Sequence, residues 1–301
     1  MPVELTIEQK NGHIAGRFFA MASDCEILVD STDKRIAGQI IESLYTECLR
    51  IEKKYSRYRT DNIVYQINHA QSARVDIDTE TYQLLNLAKT CYELSEGYFD
   101  ITSGILGKVW SFDGSDCLAD KKDVEELLSL VGFSKLNFDQ TSITIPAGMA
   151  LDFGGIAKEY AVDRCANKAL ALAPEISVLV NYGGDIAVSR PRLHSAYWQV
   201  GVAHPDPQKD TDVLVQIAQG GLATSGDANR FLLKDGVRYS HVLDPKTGQP
   251  IIDAPASVTV AGDNCTQAGL LSTMALLQGK NAERFLVEQT VKHWCIRLSH
   301  L

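Results

Sequence analysis

Helix-period and strand-period signals fall in separate blocks of this chain instead of alternating, and that grouping narrows its fold more than any other feature. After Ser31-Thr32-Asp33, which reads as cap material, Ile36, Ile40, Leu44, Cys48, Ile51 and Tyr55 recur every three to four residues. That spacing makes a helical stripe facing a core. A second helix is predicted from Thr81 to Glu96, with Tyr82, Leu85, Ala88 and Tyr92 inward and Gly97 as its stop. A third, short one is predicted over Val124 to Val131 with Asp123 as its cap. Near residue 150 the texture changes. Leu151-Asp152-Phe153-Gly154-Gly155 reads as a strand and a glycine turn that open a helix running to about Ala173. Ile176 to Val188, Trp198 to Ala203 and Val213 to Ala218 carry the β-branched and aromatic bias of strands. Phe231-Leu232-Leu233 and Val237-Arg238-Tyr239 flank Lys234-Asp235-Gly236, a hairpin signal. Further strands are predicted over residues 18 to 30, Ile143 to Ile145, Ser257 to Ala261 and Trp294 to Leu298, with a helix over Thr266 to Leu277. Runs of this kind favour an α+β fold over a doubly wound parallel sheet. No linker rich in Pro, Gly or Ser marks a boundary, so residues 1–301 read as a single unit; a split into two halves, if present, falls near residues 140–150.

Composition sets the class of partner. The chain is 45% hydrophobic and 22% charged, an ordinary globular balance that argues against disorder. Its net charge is -9 and no Lys or Arg stripe is present, which argues against nucleic acid and against an anionic membrane surface. The N-terminus lacks a basic segment followed by an apolar one, and no stretch of about 18 apolar residues occurs, so a cytoplasmic location is expected. Seven cysteines without CxxC spacing read as reduced, mostly buried thiols.

Five segments combine glycines with single polar residues in apolar surroundings: Gly97 to Thr102, Asp152 to Lys158, Asn181 to Asp185, Ala223 to Asp227 and Ser240 to Pro245. Each alone is as well explained by a tight turn, since Gly and Asp dominate turns generally. Together they suit a ligand that backbone must approach closely. A helix opening after Gly154-Gly155 would offer free N–H groups and a positive dipole end to a phosphate. Lys158, one turn into that helix, would neutralise phosphate or else be a solvated surface lysine. Two readings of His241 are open: a base poised near neutral pH, or a histidine satisfied by a backbone group. It lies in a predicted strand ahead of the Asp244-Pro245 turn.

The succession Met21-Ala22-Ser23, Ser56-Arg57-Tyr58, Tyr98 to Thr102, Leu151 to Lys158, Asn181 to Asp185, Thr224-Ser225-Gly226 and His241 to Gly248 resembles the ordered motif set of the FAD:protein FMN transferase family, known as ApbE. The match spans about Phe18 to Gly279. The resemblance implies an α+β fold of two T-fold-like halves packed together, with mixed or antiparallel sheets and flanking helices. It also implies an activity: FAD is cut with the help of magnesium, FMN is attached to a Ser or Thr hydroxyl of an acceptor flavoprotein, and AMP leaves. FAD contacts are then expected at Met21, Tyr58, Tyr98, Phe99, Asp100, Asp152, Lys158, Leu243 and Ser272, with His241 near the reacting phosphate. Apolar and aromatic residues such as Met21, Tyr58 and Phe99 suit a flavin ring, and Asp100 or Asp152 suits hydrogen bonds from ribose or adenine.

One position departs from this pattern. The resemblance puts the metal on the backbone carbonyl of Gly155, on an Asp, and on a Thr four residues later on a helix, a spacing that places both side chains on one face. Thr273 is present, but Gly269 stands where the Asp is expected. Magnesium usually takes one or two carboxylates, so this loss should weaken the site. Three explanations of Gly269 are open: room for a ligand, close helix packing, or drift after loss of activity. Asp263, Asp227 and Asp244 are nearby substitutes in sequence. Besides an active transferase, a non-catalytic FAD-binding protein and an FAD-splitting hydrolase fit the same residues.

Overall fold

The computed structural model describes residues 4–206, 213–226 and 230–298. Asp227 therefore lies outside the described residues. An eight-stranded antiparallel sheet runs in spatial order Thr6–Lys10, His13–Ala20, Ser23–Val29, Val178–Tyr182, Asp185–Val188, Gly220–Gly226, Ser257–Gly262 and Lys292–Ile296. It is continuous across the 140–150 region, because Cys25–Val29 pairs with Val178–Tyr182.

Helices Lys34–Tyr55, Ala157–Leu172 and Cys265–Leu277 lie on one face of this sheet. Ile27, Val29, Ile41, Leu44, Val162, Val180, Val260 and Ala268 belong to the core between them. Strands Trp198–Val202 and Val213–Ile217 form a hairpin whose Trp198 and Ile217 cover Leu179, Ile186 and Val188 on the other face. Val178–Tyr182 is thus covered on both sides, which explains its unbroken apolar run Val178-Leu179-Val180. A small third cluster, including Leu106, Trp110, Val124 and Leu232, sits under the hairpin Phe231–Lys234 and Val237–Ser240.

Several boundaries differ from the sequence reading. The first helix starts as expected after Asp33, whose carboxylate accepts from the backbone N–H groups of Arg35 and Ile36. The second runs from Thr79 to Leu94 and the third from Lys121 to Leu128, capped by Asp78 and Asp120, not by Asp123. Residues 18–30 are not one strand but parts of two, joined by a two-residue turn at Met21-Ala22 with φ of 51° and 56°. Ile176–Val188 likewise holds a hairpin turned by Gly183-Gly184. The Asp235-Gly236 turn is as read, both residues at positive φ. His241 lies just beyond the strand that ends at Ser240, not within it.

Candidate functional site

Antiparallel register brings two of these turns together. Ser23–Val29 begins where Val178–Tyr182 ends, so Met21-Ala22 and Gly183-Gly184 share one end of the sheet, tied by a Gly183 N–H to Asp24 carbonyl bond of 2.9 Å. Positive φ at Met21 and Ala22 is strained for residues with a Cβ. Glu52 holds the turn by accepting the Met21 N–H at 2.7 Å. At Gly183 a Cβ would lie 2.6 Å from Ser23 Cβ, so glycine is required there on steric as well as conformational grounds.

The C-terminal residues Thr224 and Ser225 of the neighbouring strand and the start of helix Ala157–Leu172 face the same end. Together with residues 55–58, 98–104 and 241–243 they enclose a cavity of about 1450 Å³. Ligand clefts for drug-sized molecules are roughly 300–1,000 Å³, so this one has room for something larger.

Of the residues singled out from sequence, Met21, Tyr58, Tyr98, Phe99, Asp100, Asp152, Gly155, Lys158, His241, Leu243 and Thr273 all line the cavity. Ser272 does not: it is fully buried, its hydroxyl 2.7 Å from Ser225 Oγ and donating to the Gly269 carbonyl at 2.9 Å. It packs against strand Gly220–Gly226, whereas Thr273, one position on, takes the cavity side, its Oγ1 3.0 Å from Ser225 Oγ. Asp100 is committed to its own loop and to the backbone at Phe133. Its Oδ1 accepts from the Thr102 N–H and hydroxyl, and its Oδ2 from the Phe133 N–H, at 2.7 to 2.9 Å. Burial pushes its pKa up despite those bonds. Asp152 accepts from Arg57 Nη1 at 2.9 Å and from the Gly154 N–H at 2.8 Å, which fixes the glycine turn. Tyr58 is 78% exposed, with the Arg57 guanidinium over its ring. Lys246 sits 3.8 Å over the Tyr98 ring.

Of the charged wall, the sequence points to Lys158 and the segment Asn181 to Asp185, but not to Glu159 or to the pairing of Lys158 with Asp185. Asp185 is buried, its Oδ2 2.7 Å from Lys158 Nζ, so the lysine expected at a phosphate has a partner within the protein. Burial by itself would lower the Lys158 pKa, but Asp185 outweighs it and the group stays charged. Glu159 lies beside them, 7% exposed, and its Oε2 has no hydrogen-bond partner among the described residues. Burial, and then the Asp185 charge, push its pKa up to about 8. A signal was present in sequence: Glu159 falls on the same helical stripe as buried Val162, Ala166 and Ala169. Ile156, which precedes helix Ala157–Leu172, makes no side-chain cap; the Ile156 and Ala157 N–H groups donate to the Phe153 carbonyl at 2.9 and 2.7 Å, and Ala157, Lys158 and Glu159 of the first turn line the cavity.

His241 has a buried Nδ1 with no partner among the described residues, and its ring lies edge-on to Phe112 at 6.4 Å. Burial, then the nearby Arg230 charge, hold its pKa below 6.5, so the imidazole is neutral at pH 7. Of the suggested substitute carboxylates, Asp263 is exposed, and neither it nor Asp244 lines the cavity. Among the described residues no group of three or more His, Cys, Asp or Glu side chains gathers as a metal cluster.

The family profile that matches this chain, ApbE, covers residues 21–295, nearly its whole length. The chain belongs to the ApbE family. It is 31% identical over 278 residues to the FAD:protein FMN transferase of Treponema pallidum, an alignment covering 85% of this chain and 76% of that one. To the Vibrio cholerae protein of the same name it is 29% identical, over 76% and 70% of the two chains. The crystal structure of the ApbE protein from Thermotoga maritima superposes with a TM-score of 0.84 at 30% identity, covering 96% of this chain and 93% of that one. The fold is thus the α+β ApbE fold.

Gly269 can now be read in place. A Cβ built on it would lie 2.6 Å from Glu159 Cγ and 2.9 Å from its Oε1. Of the three explanations open at the outset, close packing applies: a buried carboxylate occupies the space in which a residue-269 side chain would begin.

Proposed function

We propose that this protein moves FMN from FAD to a Ser or Thr hydroxyl of an acceptor flavoprotein, with magnesium, releasing AMP. The observation that carries the reading is that the residues the resemblance assigns to FAD or metal, other than Ser272 and the substituted position 269, converge on one cavity of about 1450 Å³. Relatives named FAD:protein FMN transferase support the same activity.

The walls fit FAD. Met21, Tyr58 and Phe99 offer an apolar and aromatic surface for an isoalloxazine ring, and the first turn of helix Ala157–Leu172, whose Ala157 N–H is taken by the Phe153 carbonyl, offers a positive dipole end to the diphosphate. In the transfer, the acceptor hydroxyl oxygen bonds to the FMN-side phosphorus, the bond from that phosphorus to the bridging oxygen breaks, and the oxygen leaves with AMP. The hydroxyl proton needs an acceptor, and the neutral His241 ring with its unpartnered Nδ1 on the cavity wall is suited to take it. Magnesium fits as well: the Thr273 hydroxyl and the Gly155 carbonyl belong to a wall that also carries buried carboxylates, a hard oxygen donor set. When bound, it would neutralise charge that builds on the diphosphate.

In this reading the acceptor is a cytoplasmic protein. Seven free cysteines, five of them buried, suit a reducing compartment. No helix among the described residues is long and apolar enough to cross a membrane.

The purified protein, incubated with FAD and magnesium alongside a cytoplasmic protein fraction, tests this reading. AMP release with a flavin-fluorescent protein band that survives denaturing electrophoresis is the expected result. AMP and free FMN without a labelled band would make it an FAD hydrolase instead. FAD binding without AMP would make it a non-catalytic flavin-binding protein.

A further inference from the structure

Glu159 and Gly269 share one space on two different helices. Glycine is unfavourable inside a helix, and Gly269 lies within Cys265–Leu277, so some contact must require it. That contact is the Glu159 side chain, which any Cβ at 269 would meet at 2.6 Å. The carboxylate that the resemblance calls for at 269 is missing, but a carboxylate from helix Ala157–Leu172 fills the same volume.

Glu159 has the features of a ligand awaiting its cation. It is more than nine-tenths buried, its Oε2 has no hydrogen-bond partner among the described residues, and it lines the cavity together with Thr273 and Gly155. Lys158, beside it, is drawn to Asp185 at 2.7 Å. A buried carboxyl is costly to charge unless it is paired with a cation or with donors, so a cation bound beside it would favour its charged form.

We propose that Glu159 supplies, from the neighbouring helix, the carboxylate that position 269 lacks, and binds a divalent cation together with the Thr273 hydroxyl and the Gly155 carbonyl. The cation's role on a flavin diphosphate rests on the transferase reading. Its binding is testable without turnover.

The experiment titrates the full-length protein with Mn²⁺ as a spectroscopic probe, with and without FAD, and measures FAD binding separately by flavin fluorescence. Glu159→Gln should weaken Mn²⁺ binding by roughly tenfold or more, since even outer-shell partners of metal sites count for that much. Its thermal midpoint should stay level or rise, because the amide keeps the shape of a side chain whose buried carboxyl lacks a partner for Oε2 and is costly to charge. A purely structural carboxylate would lower it. Gly269→Asp alone should lower the midpoint, as two acidic side chains then compete for one volume. The paired exchange Glu159→Gly with Gly269→Asp should restore both midpoint and Mn²⁺ binding. Unaltered Mn²⁺ binding in Glu159→Gln, no Mn²⁺ binding by the natural protein, or a paired exchange as weak as Glu159→Gln would overturn the proposal. Loss of FAD binding in the natural protein would end the transferase reading while leaving the Mn²⁺ result to decide the cation site.

Discussion

His241 combines a buried, unpartnered Nδ1 with a pKa held below 6.5 by burial and by Arg230. An imidazole in that state can accept a proton at pH 7, whereas protonation removes the lone pair. Turnover should therefore fall as pH is lowered through an acid limb with its midpoint under 6.5, and His241→Asn should lack that limb. The same variant is expected to lose about 10²–10⁴ in kcat, the usual worth of a positioned base, with FAD affinity nearly intact. An equal loss in both quantities would instead make the ring a binding group. Lys158 tests the charged wall in another way. Lys158→Met would strand the buried Asp185 without its cation, and breaking one partner of such a pair costs about 3 kcal/mol or more in unfolding free energy. Urea denaturation measures this, and adding Asp185→Asn should recover most of the loss.

The relation between Glu159 and Gly269 depends on how two helices meet, and one side chain fixes that meeting. Asp163, one turn beyond Glu159, accepts from the backbone N–H groups of Cys265 and Thr266 at 2.8 Å each and from the Thr266 hydroxyl at 2.6 Å. A helix is thus capped by its neighbour, in addition to its own Asn264. Asp163→Ala is expected to cost about 1–2 kcal/mol, as for a strong cap, and to weaken Mn²⁺ binding although Asp163 does not line the cavity. Stability loss with unaltered Mn²⁺ binding would show that the helix pair holds its geometry without this bond. Elements were legible where several local signals agree. Helix Lys34–Tyr55 has a long apolar stripe and a cap at Asp33, so it was placed almost to the residue. Helix Lys121–Leu128 has a single buried residue, Val124, and two candidate caps three residues apart, so its start shifted from Asp123 to Asp120. The Met21-Ala22 turn carries neither Gly, Asn nor Asp. Its positive φ is held by Glu52, more than thirty residues away, and no local pattern reports that bond. Glu159 escaped for a related reason, as its meaning depends on Gly269 over a hundred positions later.

At the scale of the whole molecule, the cavity is a junction more than a pocket in any one element. Its walls come from the Met21-Ala22 turn, the loops after Tyr55 and Gly97, the start of helix Ala157–Leu172, the end of strand Gly220–Gly226, the segment after Ser240 and helix Cys265–Leu277. The order of those segments along the chain made the family legible, but their convergence follows from antiparallel register, which sets both hairpin turns at one end of the sheet. A ligand spanning this junction touches parts of the chain that separate only when the whole sheet comes apart. FAD binding should accordingly stabilise global unfolding rather than one local segment. At a free concentration of 100 times its Kd, a ligand specific for the folded state adds about 2.7 kcal/mol. Urea unfolding followed by tryptophan fluorescence should show that increase with the slope of the transition unchanged, because the surface exposed on unfolding stays the same. Trp110 lies at the cavity and Trp198 and Trp294 on the opposite face of the sheet, so one probe reports both sides. A single shifted transition is the expected outcome. Two transitions, with only one of them moving with FAD, would mean that the site closes around its ligand independently of the sheet that carries it.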